Sequence, residues 1–486
     1  MASIISRQQE INILDNIYKS SRAEFLAVYG RRRVGKTYLV SEYFKDKGIY
    51  FELTGIKEAI LSEQLRNFAT EFADVFSQGR ASDPPTSWQN AFTLLRHEIA
   101  KITDNNKIIL FFDELPWLAS PRSNFLAALD HFWNRYMSRD KRVILIICGS
   151  AASWMIKKVI NNKGGLYGRI TREIRLLPFN LQKTETFLHA QDIKLDRKQI
   201  IDIYMAMGGV PKYLSYITRG KSATQIINNI CFANNGPLFK EFNKLYHSLF
   251  DGAERHIKIV RELAKKRAGL TLDEILATTK LSSGGSFSMV INELEESGFI
   301  TYIPEFSKRK KGGRYRLADE YSLFYLTWID TLPQLSLSSI DQDYWLKQHN
   351  TAKYAVWSGY SFENVCCKHV VQIKRALGLA AVSTRESSWV YRSNNDHDKG
   401  AQIDLLIDRA DNCINLCEIK FYNKKFITDK QYADNLISRK NIFIDKSQTK
   451  KSVFTTLITT YGAEENQHYL RAVDNQLTMN ELFIQS

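Results

Sequence analysis

The 486-residue sequence predicts a multidomain α/β protein. Three observations predict it. Apolar strand-like runs alternate with helically spaced stretches over residues 25–180, which argues for a parallel sheet covered on both faces. Helical patterns then dominate from about 181 to 270. After a connector, residues 351–486 return to mixed α/β. The expected divisions are a sheet core at 1–180, a helical lid at 181–250, a winged helix-turn-helix at 251–320, a connector at 321–350 and a second α/β domain at 351–486.

Composition narrows the function classes. Apolar residues make up 44% and charged residues 24%, the soluble globular average, which excludes wholesale disorder and collagen-like repeats. Lys and Arg number 67 against 52 Asp and Glu, and the net +15 invites an acidic partner such as nucleic acid or nucleotide. Most of the excess lies in residues 1–250, with 35 basic and 23 acidic side chains. Six cysteines show neither a disulfide framework nor paired CxxC metal spacing, and several sit in apolar runs, so reduced buried thiols are expected. The N-terminal MASIISRQQE is charged before any apolar stretch develops, unlike a signal peptide. The longest apolar run, Val143 to Cys148, is too short to span a bilayer. A cytoplasmic protein without a membrane partner is expected, with homo-oligomerisation left open.

Phe25 to Tyr29, Ile108 to Phe112 and Val143 to Cys148 read as buried strands, and Ile174-Arg175-Leu176-Leu177 as another. After the first comes Gly30-Arg31-Arg32-Arg33-Val34-Gly35-Lys36-Thr37, which fits GxxxxGK(S/T) between a strand and a helix. Glycines let the backbone curl so that its N–H groups surround phosphate oxygens, and the helix N-terminus adds partial positive charge. Lys36 is placed to reach the β- and γ-phosphates of ATP, and Thr37 to ligate Mg2+.

Leu110-Phe111-Phe112-Asp113-Glu114 ends the second strand in an acidic pair. Asp113 would hold Mg2+ through water, and Glu114 would orient the attacking water. At the end of the third strand, Ser150 stands either as a polar sensor of the γ-phosphate or as a helix N-cap. Arg169 is the candidate cation for the transferring phosphoryl group, with a solvated or acid-paired arginine as the alternative. Farther on, Gly208-Gly209-Val210-Pro211 interrupts a helical pattern.

The run Arg7-Gln8-Gln9-Glu10, the segment Tyr29 to Thr37, Asp113-Glu114-Leu115-Pro116-Trp117, Leu166-Tyr167-Gly168-Arg169 and Gly208 to Leu214 together resemble the archaeal-type ATPase family. That family is related to AAA+ proteins within the STAND class of P-loop NTPases. The resemblance covers residues 1 to about 250. It implies a P-loop NTPase sheet with a helical lid, acting as an ATP-hydrolysing switch. It places Gly209 to Pro211 near the base or ribose and Arg7 near the adenine, with a purely structural turn as the other reading of Pro211. The nucleotide-binding set is then Arg7, Gly30, Arg33, Val34, Gly35, Lys36, Thr37, Tyr38, Asp113, Ser150 and Pro211, with Glu114 and Arg169 catalytic.

Residues 255–320 carry three helical stretches, near 255–267, 271–279 and 284–297. A hairpin pattern follows, from Phe299-Ile300-Thr301-Tyr302-Ile303 to Arg314-Tyr315-Arg316-Leu317, giving a winged-helix outline. Lys308-Arg309-Lys310-Lys311-Gly312-Gly313-Arg314 holds five basic residues in seven, suited to phosphate contact. The helix that would enter a groove offers Ser286, Ser288, Asn292, Glu293, Glu295 and Glu296 and no Lys or Arg, which is poor for reading bases. Any nucleic-acid contact here is expected to be sequence-nonspecific, and an intramolecular spacer is the alternative.

Near the C-terminus, Ile403-Asp404-Leu405 and Cys417-Glu418-Ile419-Lys420 lie on two strands joined by a turn at Arg409 to Asn412. Glu418 and Lys420 share a strand face. Two carboxylates can bind Mg2+ while a lysine positions the water that attacks a phosphodiester. This is the D…ExK arrangement of PD-(D/E)XK nucleases. Glu363, which follows Gly359-Tyr360-Ser361-Phe362 at the expected start of an amphipathic helix, matches their extra acid, and Lys430-Gln431-Tyr432 falls where they add a polar helix. The region resembles the DUF234-type domain that accompanies this ATPase family, a restriction-nuclease-like fold. The resemblance implies Glu363, Asp404 and Glu418 as metal ligands beside Thr37 and Asp113, and Asp404, Glu418 and Lys420 as catalytic. An inactive fold kept as an interaction platform is the other reading.

Overall fold

The computed structural model describes residues 4–80, 83–161, 166, 168–233, 235–306, 312–332, 343–349, 351–393 and 400–485. Lys163, Gly165, Tyr167, Lys308, Arg309, Lys310, Lys311 and the connector from Pro333 through its Ser-rich patch lie outside the described residues. The chain divides into two compact units, Met1–Pro178 and Phe179–Ser486. Among the described residues, no helix is long and apolar enough to cross a membrane. All six cysteines are free thiols.

The first unit is built on strands β1 (Glu24–Tyr29), β2 (Ile49–Thr54), β3 (Ile108–Asp113), β4 (Val143–Gly149) and β5 (Arg172–Arg175). They pair in parallel in the order β2-β3-β4-β1-β5. The side-chain period of two sorts each apolar run between two cores. Phe25, Leu110, Phe112, Leu145 and Ile147 face one, and Leu26, Val28, Ile109, Phe111 and Ile146 the other. Parallel connections demand helical crossovers, and helices bury both faces accordingly.

Two details depart from the sequence reading. Strand β2 carries no conspicuous apolar run, because only Phe51 and Leu53 along it are buried. Strand β5 lies two residues earlier than expected. It is an edge strand in which only Ile174 is buried, while Leu176, just past it, buries completely and still donates its N–H to the Tyr29 carbonyl at 2.7 Å.

The second unit opens with helices that include Leu181–His189, Arg197–Met207, Ala223–Cys231 and Glu241–Leu249. Between the second and third of these, Gly208 sits at φ +65°, and a Cβ on Gly209 would lie 1.9 Å from the Phe179 carbonyl oxygen. Pro211 opens a short helix, where its missing N–H costs nothing. Helices Glu254–Ala264, Leu272–Thr279 and Gly285–Glu296 follow, then an antiparallel hairpin of β6 (Ile300–Ile303) and β7 (Arg314–Leu317). The expected connector is helical at its start. Glu320–Phe324 runs into a wider turn at Tyr325–Ile329, because Tyr321, Phe324 and Trp328 bury against the helical core.

The C-terminal sheet comprises β8 (Thr384–Tyr391), β9 (Ala401–Arg409), β10 (Cys413–Lys420), β11 (Ser452–Thr459) and β12 (Asn475–Leu477), in the order β12-β11-β10-β9-β8. It is mixed: β8, β9 and β10 pair antiparallel, while β10, β11 and β12 pair parallel. Helix Ala352–Lys368 covers one face through Phe362 and Val365, and helix Lys430–Ser447 the other through Leu436 and Phe443. The first of these helices starts at Ala352 rather than near Gly359, because Thr351 caps it by accepting the Tyr354 N–H.

Candidate functional site

In the first unit the strand order brings the chemistry together. The glycine loop follows β1, the acidic pair ends β3 and Ser150 follows β4, and these three strands are neighbours whose C-terminal ends share one edge. Gly35 stands at φ +89° just before helix Lys36–Phe44, with open space where a Cβ would be. A backbone N–H there can approach an anion without steric cost. Gly30 is required for a different reason: a Cβ there would meet the Leu176 carbonyl oxygen at 2.2 Å. Arg33 also takes positive φ, +71°, and Val34 is buried beneath the loop.

Lys36 is buried, and its Nζ donates to the Gly30 and Arg31 carbonyls at 3.0 and 3.1 Å and to Ser150 Oγ at 2.9 Å. Thr37 Oγ1 donates to Asp113 Oδ2 at 2.6 Å, and the Glu114 N–H donates to Asp113 Oδ1 at 2.8 Å. Glu114 adopts φ +47°, a left-handed turn that swings its carboxylate toward β4. There Ser150 Oγ donates to Glu114 Oε1 at 2.7 Å and the Ser150 N–H to Oε2 at 3.3 Å. Ser150 thus links Lys36 to Glu114. It is not a helix cap, since Ala151 holds that place before helix Ala152–Met155.

Arg7, 5% exposed, donates to the Val34 carbonyl at 3.1 Å and the Leu177 carbonyl at 2.9 Å. Burial lowers its pKa, against the pull of Glu10. Its guanidinium braces the glycine loop from behind, a role that nothing local in the sequence announces. Tyr38 is half exposed on the helix after the loop, and Arg169 is exposed in the turn before β5. Pro211 belongs to the second unit.

A threonine hydroxyl meeting a buried aspartate at the base of a glycine loop is a donor set that fits Mg2+. A strand, a glycine loop, a helix opening on Lys-Thr and an acidic pair on a nearby parallel strand define a P-loop nucleoside triphosphatase.

The C-terminal candidates fall into two clusters. Along β9 and β10 the pairing runs to Leu405 opposite Cys417, which leaves Asp404 and Glu418 as the next residues on neighbouring strands. A bulge interrupts β8 and β9, with Ser387 opposite Leu406 and Trp389 opposite Ile403, so that Asp404 and Leu405 together face Ser388. Bulges re-aim side chains, and Asp404 turns toward helix Ala352–Lys368. There Arg316 of β7, 3% exposed as a side chain, donates to Asp404 Oδ1 at 2.8 Å and to Glu363 Oε1 at 2.7 Å. Gln402 Nε2 also donates to Asp404 Oδ1, at 2.6 Å. Burial, with Asp404 nearby, pushes the Glu363 carboxyl up to about 7 against the pull of Arg316.

Glu418 has other partners. It accepts from Tyr432 Oη at 2.7 Å and Arg439 Nη1 at 2.8 Å, both on helix Lys430–Ser447, and Lys420 Nζ lies 3.1 Å away. Burial raises its pKa, but Lys420 and Arg439 outweigh that and hold it below the usual range. Among the described residues, no three His, Cys, Asp or Glu side chains are gathered to hold a metal ion. With each carboxylate spent on a cationic side chain, this arrangement does not fit a divalent ion. The sequence pattern pointed to Asp404, Glu418, Lys420 and Glu363, and missed Arg316 and Arg439, which neutralise them.

Comparison with known proteins agrees with the site in the first unit. Residues 4–217 match the family described as "ATPase domain predominantly from Archaea". An uncharacterized protein of Methanocaldococcus jannaschii is 25% identical over 407 residues, covering 82% of this chain and 85% of the relative. A second protein of that organism, an uncharacterized ATP-binding protein, is 36% identical over 45 residues, 9% of this chain and 76% of its own length. Among solved structures, the Walker-type ATPase of Pyrococcus abyssi is 18% identical, with a TM-score of 0.46, over 66% of this chain and 96% of its own. The ORC2 protein of Aeropyrum pernix, in ADPNP and ADP complexes, is 13% identical, with a TM-score of 0.42, over 70% of this chain and 96% of its own.

Proposed function

We propose that the chain is an ATP-driven switch whose first unit binds and hydrolyses ATP with Mg2+ and whose second unit carries a nucleic-acid-binding, nuclease-like effector. The observation that carries the ATP reading is the linked set of Lys36, Thr37, Asp113, Glu114 and Ser150. Backbone N–H groups of the glycine loop and Lys36 bind the phosphates, Lys36 exchanging its two carbonyl partners for phosphate oxygens. Thr37 and Asp113 would hold the Mg2+, which would supply charge neutralisation to the bound triphosphate. Glu114 orients the attacking water. Because Ser150 bonds to both Lys36 and Glu114, a phosphate that draws Lys36 away changes what Glu114 is held by, which makes Ser150 the sensor. Arg169, exposed in the turn before β5, is assigned no role in this scheme. Replacing Ser150 by Ala tests the link: ATP affinity should persist while turnover falls, and unchanged turnover would remove Ser150 from the mechanism.

For the second unit, the helices and hairpin over 254–317 support a winged-helix reading. The D…ExK residues on β9 and β10 support the nuclease-like one. No hydrolytic step is assigned, because the acids are engaged by Arg316 and Arg439. Retention of DNA by the full chain, falling linearly in log affinity with log salt, tests the nucleic-acid reading. Salt-independent retention, or none, would contradict it.

A further inference from the structure

A cavity of about 540 Å³ opens in the second unit between helix Ala352–Lys368 and the end of β10, with Arg267 on its wall. Much of the wall is aromatic, and it is held from behind. Tyr354, which lines it, is buried, and its hydroxyl donates to Asp202 Oδ1 at 3.3 Å. Asp202 is in turn paired with Lys198 Nζ at 2.8 Å. The Lys198 ammonium lies 4.9 Å from the centre of the Phe421 ring, a second lining ring, which also packs on Phe362 at 5.1 Å. A buried ion pair on helix Arg197–Met207 therefore fixes both rings before any ligand arrives, which lowers the ordering cost of binding. The third ring, Tyr360, is 6% exposed, and the Arg267 guanidinium stands over it at 5.8 Å. The Tyr360 hydroxyl is buried with no hydrogen-bond partner among the described residues, the nearby Asn364 giving its amide to the Leu317 carbonyl at 3.3 Å. A buried orphan hydroxyl calls for a partner, and a ligand supplies one. Tyr422 completes the set at the mouth, 46% exposed, with its backbone N–H tied to Thr460 Oγ1 at 3.0 Å.

Charge decides the sign of that ligand. Glu363 is the one acid among the described lining residues, and Arg316 already holds it at 2.7 Å. Arg267 and Lys420 line the same space. Lys420 has Glu418 at 3.1 Å, but Glu418 is shared with Arg439 at 2.8 Å, so the excess is cationic. We propose that this cavity binds an aromatic phosphate ester of mononucleotide size, its phosphate on Arg267 and Lys420 and its ring against the tyrosines. Guanidinium and ammonium groups make charge-assisted bonds to phosphate oxygens, and tyrosine faces stack on bases. A cavity of this volume encloses one nucleotide rather than a strand. The site shares Glu363 and Lys420 with the D…ExK set, yet Asp404 and Glu418 are not part of its lining. It needs neither ATP turnover in the first unit nor cleavage of a phosphodiester, so it stands or falls apart from the switch and nuclease-like readings.

The test is AMP binding to the full chain by isothermal titration calorimetry. It is run on Lys36→Ala, to take the glycine loop out of the measurement, and the site is identified by its dependence on Arg267. Any AMP still held by the glycine loop does not depend on that residue. Arg267→Gln and Tyr422→Ala, both at exposed side chains, should each weaken AMP by about tenfold. Adenosine and inorganic phosphate, each offering half of the contacts, should bind at least about tenfold more weakly than AMP. Circular dichroism confirms that each variant is folded. AMP affinity unmoved by both substitutions, or no AMP binding by the folded chain, would overturn the site. A 5′-phosphorylated oligonucleotide that engages Arg267 and Tyr422 more tightly than AMP does would overturn the mononucleotide assignment and give the cavity to the end of a nucleic-acid strand.

Discussion

The sharpest stability prediction concerns His369, buried between two helices of the second unit. It ends helix Ala352–Lys368, and its Nδ1 lies 2.7 Å from the Val365 carbonyl. Its Nε2 accepts the backbone N–H of Leu181 at 3.0 Å. Only one form satisfies both partners: a neutral imidazole with the proton on Nδ1. Protonation would aim a second N–H at the Leu181 N–H. Burial foremost, with Lys368 adding repulsion, pushes the folded-state pKa down to about 4, despite the Val365 carbonyl. The unfolded chain titrates near 6.5, so between these values the unfolded state holds a proton that the folded state lacks, and stability rises with pH. The contribution is complete above the unfolded value and is lost as pH falls from about 6.5 toward 4. At 1.36 kcal/mol per unit, that is about 2 kcal/mol lost between pH 7 and 5 and about 3 kcal/mol by pH 4. Urea unfolding followed by the fluorescence of buried Trp328, Trp345 and Trp357 reads it. His369→Gln, which can still accept and donate, serves as the reference, because carboxylates titrate with the same sign at the acid end. The difference between the two proteins should carry the pH slope; parallel curves would refute the assignment.

Other predictions follow from single contacts. Gly209→Ala would drive a Cβ to 1.9 Å from the Phe179 carbonyl and should cost at least the ~1–3 kcal/mol of ordinary overpacking, read as a lower urea midpoint for the second unit. Arg7→Ala strips two backbone carbonyls of a charged donor and should cost about 2–4 kcal/mol while weakening ATP binding; unaltered binding would show that the brace does not shape the loop. Neutralising Lys308, Arg309, Lys310 and Lys311 together should flatten the salt dependence of DNA binding if the wing touches phosphates. An unchanged slope would move the footprint to Lys141, Lys157, Lys158, Arg172 and Arg175 of the first unit.

What the sequence made legible follows from how far apart the causes lie. The glycine loop is a local device whose residue types are dictated by backbone curvature and phosphate charge, so it can be read from eight consecutive positions. The apolar strands β1, β3 and β4 are equally local, because both faces bury. Strand β2 is not legible because Glu52 breaks its apolar run after three residues, and β5 lies earlier than its apolar residues suggest because this edge strand buries one residue in four. Glu418 and Lys420 were legible as a pair through strand period. What Asp404 meets is not, since a bulge in its own strand opposite Ser388 and an arginine 88 positions earlier decide it. Arg7 shows the same limit: its acceptor at Leu177 lies 170 positions away, and only the folded sheet brings the two together.

The central claim is that the first unit hydrolyses ATP with Lys36 on the phosphates and Glu114 on the water. ATP binding and single-turnover hydrolysis measured side by side on Lys36→Ala and Glu114→Gln test it most directly. Lys36→Ala should lose nucleotide binding, because the main charge-assisted contact is gone. Glu114→Gln should bind ATP as the unmodified chain does and fail to turn it over. Undiminished hydrolysis in Glu114→Gln would contradict the account.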